Sequence, residues 1–346
     1  MEGRLALVRA THLGDYISVL RDIGAPVDRD LDRSALPPDI EATPDFYVSV
    51  PVAIEWIART GRDLEPMALG LLGAGKASLT SLRPAQRAAI LTAQTGLRRL
   101  ETLTTLSRFE DSALEMHIRH EGDKVRIVCN MVGLQRHPFV CLAEWLNLQG
   151  VISVVRSVAG DAWNPSELCF VSTTRPPDAV VAAFPDTRIL VGQPETSVVV
   201  ARMDLARPSA SSAASARDPA SLLASAEAAG DCSEVWEFVS LLRLLVQPYL
   251  SAGRPDIAFV AGLVGISTRT LQRRLKLCGS SYSTILQEAS FALACRLLAD
   301  PATKVIDVAM TVGYNNPQHF TRAFRRFAGV TPSEYRHYDF RHQGTA

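Results

Sequence analysis

Two segments in the last third of this 346-residue chain follow one plan, and that repetition constrains the fold more than any other feature. In the later segment, IDVAMTVGYNNPQHFTRAFRRFAGVTPSEYR from Ile306 to Arg336, residues Ile306, Val308, Ala309 and Val312 have the apolar spacing of a short amphipathic helix. Gly313 supplies a residue free to take positive φ at its end. Asn316 can then accept a backbone N–H as N-cap, Pro317 suits the first helical position, and Phe320, Phe324 and Phe327 share one face of a second helix. The earlier segment, DIAFVAGLVGISTRTLQRRLK, repeats the plan. Ile257, Val260 and Ala261 form the first stripe, Gly265 the turn and Ser267 the N-cap, with Leu271 and Leu275 on the inner face of the next helix. Two short helices about a glycine turn make a helix-turn-helix, so two such units are expected at about 256–277 and 304–327.

Each second helix carries its charge away from the apolar stripe: Arg269, Gln272, Arg273 and Lys276 in the first unit, Gln318, Arg322, Arg325 and Arg326 in the second. For one isolated helix a solvated surface explains such residues equally well. A second copy with the same polarity weakens that explanation. Between the copies, SYSTILQEASFALACRLLADP reads as a longer, largely buried helix ending before Pro301, which disfavours helix in Asp300. Readers on a rigid connector can enter successive major-groove faces roughly 34 Å apart. Charge agrees with this layout. The chain has 36 Lys plus Arg and 36 Asp plus Glu, yet residues 240 to 346 hold 13 basic and 6 acidic groups, net +7, leaving 23 against 30 before them, net −7. A basic module on an acidic one suggests a DNA reader joined to something that does not touch DNA.

These residues carry a family resemblance. The C-terminal hundred or so residues resemble the DNA-binding domain of the AraC/XylS family of bacterial regulators. The likeness rests on the paired units with their connector, on IDVAMTVGY followed by HFTRAFRRFAGVTPSEYR, and on Thr331, Pro332, Ser333 and Glu334, which also read as a capping box. It implies base reading by Arg269, Gln272 and Arg273 in the first unit and by Gln318 and Arg322 in the second, with RNA polymerase as a further partner. Pro317 departs from the pattern of those relatives that place a polar base-contacting residue there. The side-chain chemistry supports the same positions, because arginine can donate two hydrogen bonds to guanine and glutamine can pair with adenine. Lys276, Arg325 and Arg326 are assigned instead to phosphates, which fix register without reading sequence.

The remainder reads as a mixed domain. LEMHIRH and KVRIVCN alternate as strands around Glu121, Gly122 and Asp123, a β-hairpin with Gly122 in the turn, and LCFVST and TSVVVA read as further strands. Helices are expected at 11–23, 51–60, 84–104 and 138–157, and a strongly apolar one from about Val235 to Leu250. The stretch ARPSASSAASARDPA leaves almost nothing to bury and reads as linker, with a short alanine-rich helix over 219–229. The expected organisation is multi-domain: an α+β effector-binding or dimerisation domain over 1–205, a linker over 206–234, and an all-α DNA-binding domain over 235–340 with its two helix-turn-helix units. The segment from ALVRATHLGDYISVLRDIGAP through AAFPDTRILVGQPETSVVVARMDLARP also resembles the arabinose-binding-like effector domain on one branch of the same family. That resemblance implies a small-molecule effector or a homodimer, and does not say which effector.

Other chemistries have weaker support. GLLGAGK, Gly70 to Lys76, fits the first seven positions of a phosphate-binding loop, but Ala77 replaces the magnesium-binding hydroxyl and no strand precedes it. His117 and His120 lie on opposite faces of a strand, so no metal is expected, and no cofactor. Cys129, Cys141, Cys169, Cys232, Cys278 and Cys295 are scattered with no CxxC pair and read as reduced core thiols. Cys129 with His137 or Cys141 has only proximity in sequence to suggest covalent catalysis, and no catalytic constellation is visible in 1–205. No apolar run reaches the roughly 18 residues of a membrane span, and Met1 to Ala10 lacks a signal-peptide core, so the cytoplasm is expected and no membrane partner. The expected function is a sequence-specific regulator binding double-stranded DNA under control of a small-molecule effector. An enzyme fused to a DNA-binding domain and a constitutive architectural DNA binder are the alternatives.

Overall fold

The computed structural model describes residues 5–77, 79–206 and 238–343, the side chains of 338–343 excepted. Nearly all of the expected linker 206–234, and the alanine-rich helix within it, lie outside the described residues. The chain divides into two units: one runs to Leu36 and resumes at Val48, and the other takes Pro37–Tyr47 and the residues from Phe238 onward.

In chain order the first unit contains β1 (Leu7–Arg9), α1 (Ala10–Asp22), α2 (Val27–Asp32), β2 (Tyr47–Ser49, its first residue in the other unit), α3 (Val50–Thr60) and α4 (Pro66–Lys76). There follow α5 (Pro84–Thr92), α6 (Gly96–Ser107), β3 (Leu114–Glu121), β4 (Lys124–Met131), α7 (Val140–Ala159), β5 (Glu167–Cys169), α8 (Asp178–Ala183), β6 (Arg188–Leu190), β7 (Ser197–Ala201) and α9 (Arg202–Leu205). Five strands form one sheet in the order β3-β4-β7-β5-β6, antiparallel except for the parallel β5/β6 pair. The hairpin expected around Gly122 is present: Glu121 pairs with Lys124, and Gly122 takes φ of +63° in the two-residue turn. Alternation buries Val125, Ile127, Cys129 and Met131 of β4 with Val198 and Val200 of β7. Helix α7, as apolar as the sequence suggested, packs on this layer and buries Trp145 against Phe170 and Phe184, with ring centroids 4.9 and 5.7 Å apart.

Two expectations for this unit need correction. The helix expected over 84–104 is two helices, because Thr95 caps a new start by accepting from the N–H of Arg98 at 3.3 Å. The strand expected over LCFVST stops at Cys169. The amides of Val171 and Ser172 turn instead to the buried carboxylate of Glu144 on α7, at 2.6 and 3.3 Å. GLLGAGK, already set aside as a phosphate loop, is the body of α4, where Gly70 faces Trp145 and Gly73 faces Tyr16; a Cβ at Gly73 would lie 2.1 Å from that ring. These glycines allow close helix packing and cradle no phosphate.

The second unit is helical, with α10 (Phe238–Val246) followed by a 3₁₀ turn at Gln247–Tyr249 in place of the single helix expected to Leu250. Then come α11 (Ile257–Leu263), α12 (Thr268–Leu277), α13 (Tyr282–Leu298), α14 (Val305–Thr311), α15 (Pro317–Ala328) and α16 (Pro332–Gln343). The connector α13 buries Ile285, Leu286, Ala289, Leu293, Ala294 and Leu298 along its length, about 26 Å for 17 residues. Not all thiols are in cores: Cys129, Cys141 and Cys169 are buried, but Cys278 is exposed and Cys295 half-buried. Burial pushes the Cys129 and Cys141 thiols up to about 12, so neither supplies a thiolate nucleophile at neutral pH.

Candidate nucleic-acid interface

Each helix-turn-helix is built from local signals. Asp256 caps α11 through the N–H of Phe259 at 2.7 Å, Gly265 turns the chain at φ +67°, and Ser267 caps α12 through the N–H of Thr270 at 3.2 Å. In the second unit Gly313 turns at φ +80°, and Asn316 accepts from the N–H of Gln318 at 2.8 Å with Pro317 next to it. Gly329, left-handed at φ +75°, ends α15. The capping box at the start of α16 is formed: Thr331 donates its N–H to Glu334 at 2.7 Å, and its hydroxyl accepts from the N–H of Glu334 at 3.3 Å. Those Thr331 groups hold the exposed Glu334 carboxyl below its ordinary range.

The inner faces orient the outer ones. Leu271 and Leu275 of α12 are buried, as are Phe320 and Phe324 of α15. Phe324 meets Phe291, Phe320 and Tyr335 with centroids 5.0 to 5.7 Å apart. Two expected core residues stand further out: Ile306 is 52% exposed, and Phe327 is 41% exposed while stacking on Phe291 at 5.4 Å. Helix α14 is anchored instead by Val308, Ala309 and Val312.

Arg269, Gln272, Arg273 and Lys276 lie exposed on α12, and Gln318, Arg322, Arg325 and Arg326 on α15. Among the described residues the side chains of Arg269, Gln272, Arg273, Gln318 and Arg322 make no hydrogen bond or ion pair. The other cations differ in surroundings. Arg326 donates to Gln287 of the connector at 3.4 Å, Arg325 lies in the field of Glu334, and Arg274 is drawn inward over the ring of Phe238 at 5.6 Å. One contact absent from the sequence reading is Arg254 over the ring of Tyr314, at 4.5 Å, which fastens the turn before α11 to the turn before α15.

The first unit holds a buried polar cluster that no motif announced. Arg9 donates to both carboxylate oxygens of Glu110, at 3.0 and 2.7 Å, and Nε2 of His12 lies 3.0 Å from the same carboxylate. Burial pushes the Glu110 carboxyl up, but His12 and Arg9 outweigh it and hold the group down at about 2.

Comparison with known proteins matches both units. Residues 260–338 match the model of a helix-turn-helix domain, and residues 24–209, more than half of the chain, match that of the arabinose-binding N-terminal domain of the AraC transcription regulator. The HTH-type transcriptional regulator VirS of Mycobacterium tuberculosis is 24% identical over 335 residues, 96% of this chain and 97% of that one. The ornithine utilization regulator of Pseudomonas aeruginosa is 33% identical over 82 residues, 24% of each chain. Among solved structures, the transcriptional regulator CdpR of Pseudomonas aeruginosa covers 94% of this chain and 96% of its own at 19% identity and a TM-score of 0.43. The chain belongs to the AraC family of transcription regulators, with an arabinose-binding-like effector domain followed by a helix-turn-helix DNA-binding domain.

Proposed function

We propose that this regulator reads double-stranded DNA with α12 and α15. Arg269, Gln272, Arg273, Gln318 and Arg322 contact base edges, and Lys276, Arg325 and Arg326 contact phosphates. The observation that carries this reading is the pair of capped helices whose inner faces are locked in core while five arginine and glutamine side chains stand exposed and make no hydrogen bond or ion pair among the described residues. Such groups lose no internal hydrogen bond on meeting DNA, and their donor patterns match guanine and adenine edges. Residues 1–205 act as the sensor, 206–234 as linker and 235–340 as reader. The sensor binds a small molecule and joins two copies of the chain, shifting operator affinity by differential binding to two states. The protein works on the bacterial chromosome in the cytoplasm, contacts RNA polymerase there, and catalyses no reaction.

Footprinting on the DNA upstream of its own and adjacent genes, at moderate salt, tests the reading. Protection of a discrete site spanning two successive major grooves is expected, with a change on adding cell-extract metabolites. Diffuse protection that fades with salt would instead favour a non-specific architectural role.

A further inference from the structure

Strand β3 is one edge of the five-stranded sheet, and at eight residues it is much longer than β6, the three-residue strand at the other edge. Its hydrogen-bonding directions follow from its neighbours. Cys129 of β4 donates its N–H to Thr196, on the β7 side, and Val132 donates to Ala113, on the β3 side, both at 2.8 Å. Odd-numbered residues of β3 therefore bond to β4, and the N–H and C=O groups of Leu114, Met116, Ile118 and His120 point outward. Among the described residues none of these outward groups has a backbone partner. The register with β4 is unbroken and the strand holds no proline, so neither a bulge nor a proline blunts this edge. What it carries is charge. Glu115, His117, Arg119 and His120 are exposed, and their order along the strand is self-complementary.

Two copies can pair antiparallel about a two-fold axis only with outward groups opposite outward groups. With Met116 opposite Ile118 of the second copy and Leu114 opposite His120, every outward group gains a partner. Glu115 then stands opposite Arg119 on both sides of the axis. These are non-hydrogen-bonded pairs, whose side chains approach most closely. Arg119 gives three of its five N–H donors to Glu121 and Glu195 of its own chain and keeps the rest. Sliding the register one way sets Glu115 against Glu121; sliding it the other way sets Arg119 against Ala113 and shortens the ladder. On the opposite face of the strand, the half-buried Met116 and Ile118 cover each other across the pair.

We infer that β3 is the surface through which two copies of this chain join, edge to edge in that register, so that one sheet runs through the dimer. This rests on the reading of the first unit as the part that joins two copies. Eight residues a side fall short of the roughly 20–30 of a standard interface, so the dimer is weak and concentration-dependent.

The test is sedimentation velocity of the full-length protein at low ionic strength over a range of concentrations. The wild type is expected to pass from monomer to dimer as concentration rises. Glu115→Arg sets arginines against arginines and Arg119→Glu sets glutamates against glutamates, so each alone should weaken the dimer about tenfold or more. Mixed in equal amounts, the two variants should pair with each other about as well as the wild type does, because every cross-strand contact is again arginine against glutamate. A lost fold would not be mended by mixing. His120→Pro keeps the test open should Arg119→Glu disturb its own contacts with Glu121 and Glu195. His120 is exposed and its N–H makes no ladder bond within the chain, so proline should leave the melting temperature little changed and weaken the dimer about tenfold. A dimer indifferent to His120→Pro, or single variants that fold but fail to pair when mixed, would sink this edge and leave the joining of two copies standing. A wild type that stays monomeric at every concentration would sink both.

Discussion

Replacing Arg322 by alanine separates base reading from every other role of α15. The side chain is exposed and makes no hydrogen bond or ion pair among the described residues, so its removal costs the fold little. Arginine and alanine are both good helix formers, and a surface change of this kind shifts stability by about 0.5 kcal/mol or less. The Asn316 cap and the buried Phe320 and Phe324 stay in place to hold the helix. On the proposed reading what is lost is a bidentate contact to one base pair, worth about 1–3 kcal/mol, which corresponds to roughly 5- to 150-fold in Kd. That loss should be confined to one position of the operator. Arg325→Ala is the matched control one helical turn away; it should weaken all sequences alike and reduce the salt slope by about one ion. Fluorescence anisotropy with the operator and its single-base-pair variants, at several salt concentrations, reads both effects. If Arg322→Ala left affinity and base preference unchanged, the placement of α15 in the major groove would be wrong.

Further outcomes follow from the packing and the buried charges. Phe324→Ala empties a site 2% exposed among three aromatic rings and should cost roughly 3–5 kcal/mol, seen as a lower denaturant midpoint for the C-terminal unit. Gly73→Ala forces a Cβ into the ring of Tyr16, whose hydroxyl is tied to the carbonyl of Leu142 at 2.7 Å. It should destabilise the N-terminal unit by about 1–3 kcal/mol in thermal melts, whereas Gly14→Ala, with open space around its Cβ, should not. Glu110 has a folded pKa depressed from the ordinary 4.5 to about 2. Its contribution, on the order of 3 kcal/mol, is therefore present above pH 4.5 and lost as pH falls through about 2. Glu110→Gln should remove that part of the acid limb of a stability–pH curve; an unchanged limb would contradict the ion-pair account.

The two units differ in how much their sequences disclose, and the difference is one of range. Ser267 and Asn316 bond to amides three and two residues away, and Gly265 and Gly313 turn the chain where they stand. The reader's architecture is thus written in windows of about twenty residues, and its outward side chains follow once the inner stripe is known. Ile306 and Phe327 mark the limit of that logic. Periodicity places a residue on a face, but only the neighbouring elements decide whether anything covers it. In the N-terminal unit even the signs of local motifs can invert. The glycines of GLLGAGK, spaced as in a phosphate loop, answer instead to Trp145 and Tyr16, each dozens of residues distant in the chain. The strand Glu167–Cys169 goes no further because Glu144, on another element, captures the amides of Val171 and Ser172.

The buried cluster around Glu110 is the extreme case. Arg9 and His12 meet Glu110 across 101 and 98 residues of chain, and neither end carries a spacing that announces the other. A DNA-reading helix must display its chemistry to solvent, so its code survives projection onto a linear sequence. A ligand cavity must draw its lining from many elements and turn it inward, so its code exists only after folding. That asymmetry explains how the exposed faces of α12 and α15 are legible at sequence level while the Arg9, His12 and Glu110 cluster is seen only in the folded chain.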